Sequence, residues 1–561
     1  MKIYIANFEV KPMNISFNIQ RAMEQMDLAV EKGADTVVFP KGFLFGAQTG
    51  ILKNAEWAKN EYNKNIDILF EKAVELNLNV ICDIATDTDF KTVYFSDNNI
   101  SITDNCIIND ISIVCANNSN VLFKNMHKLA KANDVIIVNW MEKTVAGQKD
   151  LWLKVIQHAS RVYGTVFIIN TAGMGYTTHP DFFACMRGII ASKTATVATD
   201  YRSVLNFENV FEVEKNDRII LKDDTDYYSL IQFDVFYNQN PLIPTNVNVK
   251  RYCLDLFDMQ SASLANRLKN INCKDVVLNL SGGLDSTLAL LVCVNAFDML
   301  GFDKSGIHIV TMPGFGTSEV TKGLAYDLCR CMELGLQVID IKKACTEALI
   351  AIGHDTTTPD VTFENVQARM RTLNALNLAN RINALMIGTG DLSEEALGFS
   401  TYGGDHLSSY NVNCCVSKTV IRTMLKYIVE LDLFKNVKEP VYNIINIPVS
   451  PELIPYGGRI LQKTEDILAP YKIIDFFIYC LVVTKISPKE IIEKAHYVFE
   501  GKYSNNYLKE KLELFYKKFS VGQFKRSCAP ESANITHVSL LDNKTYYPSD
   551  ASVDIFLQNL Q

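Results

Sequence analysis

Apolar and polar positions alternate along the first 200 residues in two periods, one typical of strands and one typical of helices. Short apolar runs such as KIYIANF and DTVVFP have the length of buried strands. Between them lie longer stretches, among them IQRAMEQMDLAVEKG and KDLWLKVIQHASRVYG, in which apolar residues recur every three or four positions. Gly33 and Gly164 follow these stretches where a helix would end. The pattern predicts an α/β domain over residues 1–205.

The alternation loosens after residue 205 and then resumes. A polar stretch ending in NPLIPTNVNVKRY predicts a connecting or docking segment over 206–255. Beyond it, the strand-like runs KDVVLNL, GIHIVTMPG, LQVIDI and ALMIGTG are separated by whole helices. Strands joined through helices pair in parallel with right-handed crossovers. We therefore predict a second α/β domain over 256–561, with a ligand crevice at the carboxyl ends of its strands.

Composition limits the function classes. A chain of 561 residues exceeds one ordinary core, which agrees with more than one domain. Its net charge of −8 gives no overall basic surface, so we expect no nucleic-acid partner. The start, MKIYIANFEV, lacks the layout of a secretion signal. The longest apolar run, Phe476 to Val483, is too short to span a bilayer and follows Asp475. We expect a cytoplasmic protein with no membrane partner.

Cysteine spacing gives no indication of disulfides or of a zinc site. The chain has 14 cysteines, scattered without the spacing of a disulfide framework or a zinc site. We expect most of them to be small buried hydrophobic residues.

The most informative stretch is LNLSGGLDST, from Leu278 to Thr287. An apolar strand leads into two glycines and then directly into a helix. Glycines let backbone N–H groups approach a polyanion closely, and a helix N-terminus adds positive potential. Phosphate would repel Asp285 unless a cation lay between them, so this residue indicates a magnesium ligand. The alternative is a tight strand-to-helix turn in which Asp285 or Ser286 is only a cap.

The stretch lacks the Lys of a Walker loop, and Ser-Gly-Gly-x-Asp-Ser instead resembles the loop of the ATP pyrophosphatase family. Six further blocks, in order, resemble glutamine-dependent NAD synthetases. They are TMPGFGTS (311–318), VTFENVQARMRT (361–372), IGTGDLSEEALGFSTYGGD (387–405), YNVNCCVSKT (410–419), SPELIP (450–455) and QFKRS (523–527).

The resemblance implies a doubly wound parallel sheet of the adenine nucleotide α-hydrolase type. It implies ATP-dependent amidation of deamido-NAD through an adenylated intermediate, with Mg²⁺ and with NAD, AMP and pyrophosphate as products. It makes Lys418 and Asp285 catalytic, and Asp285 and Glu394 metal ligands. The implied ATP-binding residues are Ser281, Gly282, Gly283, Leu284, Asp285, Ser286, Thr287 and Thr389. The implied deamido-NAD-binding residues are Asn365, Glu394, Phe399, Ser400, Thr401, Tyr402 and Lys525.

The charged side chains in these blocks also have ordinary interpretations. Arg369 and Arg371 could form a solvated helix face, and Glu394 could be a charge at a helix N-terminus. Lys418 and Lys525 could be surface lysines. The order of the blocks, more than any single residue, favours the functional interpretation.

The first half is similar to nitrilases in layout, which implies an αββα sandwich that frees ammonia from glutamine with a Glu, a Lys and a Cys. The family's FPE is FPK here, so Lys41 stands at the position of the general base. An ammonium group cannot accept a proton at neutral pH unless its pKa is strongly lowered. Cys115 stands where the nucleophile falls, but the Glu-Asp expected after it is Ala116-Asn117.

The remaining positions of this half also depart from the family. Lys91 is a poor match for the catalytic Lys, and Gln148 lies near a position where the family has Arg. We interpret the half as a degenerate amidase, with ammonia taken from solution or from a separate glutaminase. The alternative is an active amidase in which Cys115 is the nucleophile.

Two other function classes stay open at this level. The chain could adenylate another carboxylic acid, or it could be a non-catalytic regulatory or assembly protein. The resemblance also implies a homo-oligomer.

Overall fold

The computed structural model describes residues 1–8, 10–46, 55–86, 90–96, 99–171, 185–191, 194–200, 210–215, 223–233, 237–447, 464–540 and 545–560. The chain forms two compact units, residues 1–233 and 234–561. The boundary between the units falls within the predicted connecting segment 206–255.

The first unit contains two six-stranded sheets. Its strands are β1 (Lys2–Ile5), β2 (Thr36–Val38), β3 (Asn79–Ala85), β4 (Phe90–Ser96), β5 (Asn99–Ile102), β6 (Asn105–Ile108), β7 (Ile111–Ala116), β8 (Val135–Val138), β9 (Val166–Asn170), β10 (Cys185–Ala191), β11 (Thr194–Asp200) and β12 (Val210–Glu212). The strand orders are β12-β1-β2-β3-β4-β5 and β11-β10-β9-β8-β7-β6. The inner strands β1 to β3 and β7 to β9 are parallel, and the outer pairings are antiparallel.

Helices cover the outer face of each sheet. They are α1 (Ile15–Glu31), α2 (Glu56–Leu76), α3 (Ser119–Lys124), α4 (Met126–Ala132), α5 (Gln148–Tyr163) and α6 (Tyr227–Leu230). One apolar cluster joins residues of both sheets, including Ile81 and Ile113. Two more clusters join one sheet to α1 and α2 and the other sheet to α3, α4 and α5. The αββα sandwich predicted for the first half is confirmed.

The second unit is built on a five-stranded, entirely parallel sheet. Its strands are β13 (Val276–Asn279), β14 (Ile307–Thr311), β15 (Leu336–Val338), β16 (Leu385–Gly388) and β17 (Tyr410–Asn411), in the order β15-β14-β13-β16-β17. The chain moves outward from β13 to β15 and then returns to place β16 on the other side of β13. The predicted doubly wound sheet is confirmed, and its topological switch point lies between the carboxyl ends of β13 and β16.

The helices of this unit surround the sheet. They are α7 (Val249–Asn270), α8 (Leu284–Leu300), α9 (Glu319–Cys331), α10 (Lys342–Ala351), α11 (Val361–Ile382), α12 (Leu392–Leu397), α13 (Lys418–Glu430), α14 (Lys438–Asn446), α15 (Thr464–Ile467), α16 (Tyr471–Tyr479), α17 (Pro488–Val498), α18 (Asn505–Val521), α19 (Gln523–Arg526) and α20 (Asp554–Gln558). Val277 packs on α11, while Val276 and Leu278 point to the opposite face and are also fully buried. Both faces of the sheet are therefore covered.

Two expectations from composition can be compared with the described residues. No helix within the described ranges is long and apolar enough to cross a membrane. The apolar run from Phe476 to Val483 continues α16, and its phenylalanines lie in the core. The described cysteines are free thiols and most are buried, as their scattered spacing predicted.

Helix α8 positions the glycine loop, which joins it to β13 through Ser281, Gly282 and Gly283. It is apolar on all sides, and Leu288, Leu290 and Leu291 are fully buried. Helices α7, α13 and α14 pack against it. A helix covered all round cannot shift without opening the core, so the loop at its N-terminus is held in place.

We expect Leu290→Ala to lower the free energy of unfolding by about 3 kcal/mol, because it removes a fully buried side chain from this helix. Leu373→Ala on α11 is the matched control, since that leucine is 52% exposed. Its effect should stay within about 0.5 kcal/mol. Urea denaturation measures both, and equal losses would contradict the central role of α8.

Candidate functional site

The loop between β13 and α8 is folded tightly on itself. Gly282 has φ +85°, and a Cβ atom there would lie 2.3 Å from the carbonyl oxygen of Thr321. The hydroxyls of Ser281 and Ser286 are 3.0 Å apart, and the backbone N–H of Gly283 donates to Ser281 Oγ at 3.3 Å. Thr287 Oγ1 donates to the carbonyl of Gly283 at 2.8 Å. Only glycine fits at position 282, because the backbone is left-handed there and packs against α9.

An asparagine ties this loop to the neighbouring strand end. Asn413 Nδ2 donates to the carbonyl of Asp285 at 3.0 Å and to that of Thr389 at 3.2 Å. Gln260 of α7 donates to Asn413 Oδ1 at 3.0 Å and orients the amide. Asn413 therefore joins the two strand ends that form the switch point.

A buried lysine lies among three carboxylates beside the loop. Lys418 Nζ is 2.6 Å from Asp285 Oδ2, 2.6 Å from Asp391 Oδ2 and 2.8 Å from Glu394 Oε1. Asp391 is the N-cap of α12, and its other oxygen accepts from the N–H groups of Ser393 and Glu394. Lys418 is the first residue of α13. The short helix α12 thus supplies two of the acids, and α8 supplies the third.

Burial and charge oppose each other in this cluster. Burial raises the pKa of Asp285 to about 6, although Lys418 acts in the opposite direction and Asp391 adds to the increase. Burial also raises the pKa of Glu394 well above its ordinary value. For Lys418, burial alone would lower the pKa, but the three carboxylates together raise it well above its ordinary value. The lysine therefore stays charged at neutral pH.

The same three acids can hold a divalent cation. Each offers one carboxylate oxygen within 4.8 Å of the other two. Asp285 Oδ1 is a buried oxygen with no hydrogen-bond partner among the described residues. Lys418 balances one of three negative charges, and carboxylate oxygens are the ligands that Mg²⁺ prefers. The donor set therefore fits Mg²⁺.

Two adjoining cavities open beside the cluster. The larger has a volume of about 300 Å³ and is bordered by the glycine loop, Arg371 and Lys418. The smaller, of about 60 Å³, is bordered by Ser400 and Lys525. Thr389, Glu394 and Asp405 border both. The arrangement can hold two ligands side by side, with Glu394 between them.

Residues 256–517 match the protein-family model described as NAD synthase. Over most of its length, the second unit is similar to the NAD synthase family. The glutamine-dependent NAD(+) synthetase of Mycobacterium leprae is 34% identical over 348 residues, which cover 57% of this chain and 51% of the relative. The chain thus spans about half the length of the mycobacterial relatives it matches. The protein of the same name from Acinetobacter baylyi is 24% identical over 518 residues, covering 88% of this chain and 90% of the relative.

Solved structures match the fold over the whole chain. A glutamine-dependent NAD(+) synthetase from Cytophaga hutchinsonii has a TM-score of 0.70 at 15% identity, with 100% of this chain and 99% of that chain covered. One from Acinetobacter baumannii, in complex with ADP, has a TM-score of 0.63 at 16% identity, with 98% of both chains covered. Both show the same two-unit fold.

Most residues predicted for the NAD synthase site lie around the two cavities. The larger cavity is bordered by Ser281, Gly282, Gly283, Leu284, Asp285, Thr389, Glu394, Phe399 and Lys418. Ser400 and Lys525 border the smaller one. Ser286 and Thr287 are buried beneath the loop, where their hydroxyls bond to its backbone. The block SPELIP lies outside the described residues.

The other predicted substrate residues form a rim of local contacts. Thr401 Oγ1 donates to Asn365 Oδ1 at 2.8 Å. Tyr402 is half exposed and stacks on His406. Lys525 Nζ donates to the carbonyls of Gly398 at 2.7 Å and Ser400 at 2.5 Å, so it caps the C-terminal end of α12. Among the described residues, Asn365, Thr401 and Tyr402 border neither cavity.

Three residues of the candidate site were not predicted from the sequence. Asp391 and Asp405 lie inside a quoted block, and Asn413 lies inside another, but none was singled out. The arginine of α11, Arg371, is no solvated helix face: it borders the larger cavity, and its Nε donates to the carbonyl of Met312 at 3.0 Å. The available signal for Asp391 was its position just before a helix with acids in the first turn.

Lys41, which follows β2 in the first unit, is buried. The backbone N–H of Lys41 donates to Asn139 Oδ1 at 2.8 Å, and its Nζ lies 3.4 Å from the carbonyl of Asn117. Lys91, in contrast, is exposed on β4. Gln148 begins α5, and its side chain accepts from the N–H of Val145. Hydrogen bonds therefore hold the strand end at Lys41, although a lysine stands where the resemblance to nitrilases implies a glutamate.

Cys115 lies in the core between the two sheets of the first unit. It lies on the same face of β7 as Ile113, and both belong to the cluster that joins the sheets. Tyr94 donates its hydroxyl to Cys115 Sγ at 3.2 Å. Burial raises the pKa of the thiol to about 12, which leaves little thiolate at neutral pH.

We expect Asp285→Asn to reduce the pH dependence of stability. Because the pKa of Asp285 is about 6 in the folded chain and 3.8 ordinarily, the folded chain binds more protons between these values. The contribution of protonated Asp285 to the free energy of unfolding is full below pH 4 and is lost as the pH rises through 6. The variant should therefore show a smaller decline in unfolding free energy from pH 4 to 7, measured by urea denaturation.

Asp303→Asn is the control with the opposite sign. A hydrogen bond from the Ser305 hydroxyl lowers the pKa of Asp303, so its contribution is lost as the pH falls. The same pH profile in both variants would contradict the assignment of the effect to Asp285.

Proposed function

We propose that this chain is an NAD synthetase, which uses ATP to convert the nicotinate carboxylate of deamido-NAD into the amide of NAD. The observation that carries the proposal is the buried cluster of Lys418 and three acids beside the glycine loop, at two adjoining cavities. The match of residues 256–517 to the NAD synthase family supports it.

ATP is assigned to the larger cavity. Its border includes the Ser281 to Asp285 loop and the N-terminus of α8, a helix of 17 residues. Backbone N–H groups and the helix dipole at such a turn favour phosphate oxygens. Arg371 adds a positive charge on the border of the same cavity. The Acinetobacter baumannii structure, solved with ADP, supports nucleotide binding by this fold.

Deamido-NAD is assigned to the smaller cavity and its rim. Lys525 and Ser400 border it, and Glu394 and Asp405 separate it from the ATP site. Tyr402, half exposed and stacked on His406, offers an aromatic face at the rim. This placement directs the nicotinate carboxylate of the substrate towards the α-phosphate of ATP.

The first step of the proposed reaction joins these two substrates. A carboxylate oxygen of deamido-NAD attacks the α-phosphorus, the bond from that phosphorus to the bridging oxygen of the β-phosphate breaks, and pyrophosphate leaves. Lys418 stays protonated and neutralises the charge that develops on the phosphate oxygens. Mg²⁺, held by Asp285 and Glu394 with Asp391, would supply further charge neutralisation. The product is an acyl-adenylate.

The second step uses ammonia. Ammonia attacks the acyl carbon, the bond from that carbon to the AMP oxygen breaks, and NAD and AMP form after loss of a proton. The unit contributes positioning and fixed charge, which are the main contributions that proteins make to reactions of this kind.

We further propose that the ammonia does not come from glutamine hydrolysis in the first unit. A Cys115 thiol that is buried between sheets and has a raised pKa is a poor nucleophile. A lysine, Lys41, stands in the position expected for the carboxylate base. The alternative, an active amidase using Cys115, is favoured by the names of the relatives, which are called glutamine-dependent.

The nitrogen source is tested with purified protein, ATP, Mg²⁺ and deamido-NAD. NAD should form with ammonium and not with glutamine, and Cys115→Ala should leave the ammonium rate unchanged. Cys82→Ala, at another fully buried cysteine of the same unit, is the control for packing damage. Rapid use of glutamine that is lost only in Cys115→Ala would establish the alternative.

The ATP site is tested by Gly282→Ala. The added Cβ would lie 2.3 Å from the Thr321 carbonyl, so the loop must move, and we expect ATP affinity to fall about 100-fold. Gly323→Ala is the control, because nothing lies within 4 Å of its Cβ position. Titration calorimetry measures both variants, and unchanged affinity in Gly282→Ala would place ATP elsewhere.

The choice of acid is tested by pyrophosphate release. It should depend on deamido-NAD, whereas release driven by a different carboxylate would indicate another adenylating ligase.

A further inference from the structure

Helix α16 carries a fully buried carboxylate, Asp475, that the proposed chemistry does not use. It directly precedes the apolar run FFIYCLVV, where the sequence suggests only a charge flanking a core segment. The side chain has no exposed surface. A buried carboxylate is costly unless its oxygens accept hydrogen bonds, so its partners indicate its role.

Those partners are the residues next to the catalytic cluster. Ser393 Oγ donates to Asp475 Oδ1 at 2.6 Å, and Thr419 Oγ1 donates to Asp475 Oδ2 at 2.5 Å. Ser393 directly precedes Glu394 on α12. Thr419 directly follows Lys418 on α13. One carboxylate therefore bridges the N-termini of the two helices that carry Glu394 and Lys418.

Asp475 also sets the orientation of the serine hydroxyl. Ser393 Oγ accepts a hydrogen bond from the backbone N–H of Lys418 at 3.0 Å while its own proton points to Asp475. A carboxylate accepts only, so this chain of bonds runs in one direction, from Lys418 through Ser393 to Asp475. The backbone at the base of the lysine is thereby joined to the second residue of α12.

A second residue of α16 contacts the same lysine. Tyr471 lies one turn before Asp475, and residues four apart share a helix face. Its ring centroid is 5.4 Å from Lys418 Nζ. The Tyr471 hydroxyl is buried and has no hydrogen-bond partner among the described residues. This face of α16 thus supports both the backbone and the ammonium group of Lys418.

The cluster needs such support for a physical reason. Asp285, Asp391 and Glu394 repel one another, and Lys418 offsets only part of this charge. Helix α12 has six residues, too few to be stable without tertiary contacts. Bonds to a rigid, buried helix can hold α12 in place against this repulsion.

We propose that Asp475 is a positioning residue of the synthetase site, which holds Lys418 and the acids of α12 in their working arrangement through Ser393 and Thr419. The inference rests on the proposed function for its kinetic readout, but ATP binding tests it separately. Asp475 itself touches neither cavity among the described residues.

The experiment compares Asp475→Asn, Ser393→Ala and the double variant in the full chain. Two readouts are used: steady-state kcat and KM for deamido-NAD with ammonium, and ATP affinity by calorimetry at stepped Mg²⁺ without deamido-NAD. We expect Asp475→Asn to lower kcat between about 10-fold and 100-fold, as is typical when support of a metal or catalytic ligand is lost. KM should stay unchanged, and ATP binding should require more Mg²⁺.

The double variant and two substitutions of Thr419 test whether Asp475 acts through Ser393 and Thr419. Because part of the effect of Asp475 is transmitted through Ser393, the loss of kcat in the double variant should be smaller than the two single losses combined. Thr419→Ser keeps the hydroxyl and should retain kcat, whereas Thr419→Val should lose it. The Thr419 pair also keeps the proposal falsifiable if Asp475→Asn fails to fold.

Leu349→Ala is the control for general destabilisation, since this leucine is fully buried on α10. The proposal is overturned if Asp475→Asn affects kcat and Mg²⁺-dependent ATP binding no more than Leu349→Ala does at a matched loss of melting temperature. Additive losses in the double variant would also overturn it.

The outcomes separate this inference from the proposed function. If the wild-type chain forms no NAD but ATP binding in Asp475→Asn still requires more Mg²⁺, the proposed function is wrong and the positioning role stands. If the wild type forms NAD and Asp475→Asn behaves like Leu349→Ala, the positioning role is wrong. If the wild type forms no NAD and ATP binding is unaltered, both are wrong.

Discussion

The contact of one buried ammonium with three carboxylates is the interaction on which the second unit depends. Lys418 joins Asp285 of α8 to Asp391 and Glu394 at the start of α12. Buried charges cost several kcal/mol each in lost hydration, and a good arrangement of partners offsets that cost. Removing Lys418 would leave three buried carboxylates uncompensated, so the surrounding elements must hold the lysine among them. The architecture around the cluster can be understood from this requirement.

The parallel sheet meets the requirement by bringing distant strand ends together. The ends of β13 and β16 are neighbours because the chain reverses its winding direction at β13. Asn413 joins the carbonyls that follow these ends, and the all-apolar helix α8 fixes the glycine loop against the core. The loop and the cluster are held in fixed positions, which suits the proposed reaction because that reaction depends on charge neutralisation.

In the first unit, the fold and the amidase chemistry that its layout suggests depend on different residues. An apolar cluster joins its two sheets, and the backbone N–H of Lys41 donates to Asn139 just after β2. Strands are selected by packing, whereas a catalytic constellation depends on a few side chains. Replacing those side chains leaves the packing intact, so layout alone is a weak indicator of activity.

Local patterns in the sequence were enough to predict the two α/β units and the strand-turn-helix at Ser281 to Thr287, and to identify the lysine at position 41. Each depends on neighbouring residues, because periodicity and turn chemistry act over a few positions. The acids that meet Lys418 could be identified only in the folded chain, since Asp285 is 133 positions away. The same holds for Arg371 at the border of a cavity, for Cys115 facing the other sheet, and for Asp475 as a buried partner of Ser393 and Thr419. Burial and hydrogen bonding are set by segments far apart in the chain, and no local pattern records them.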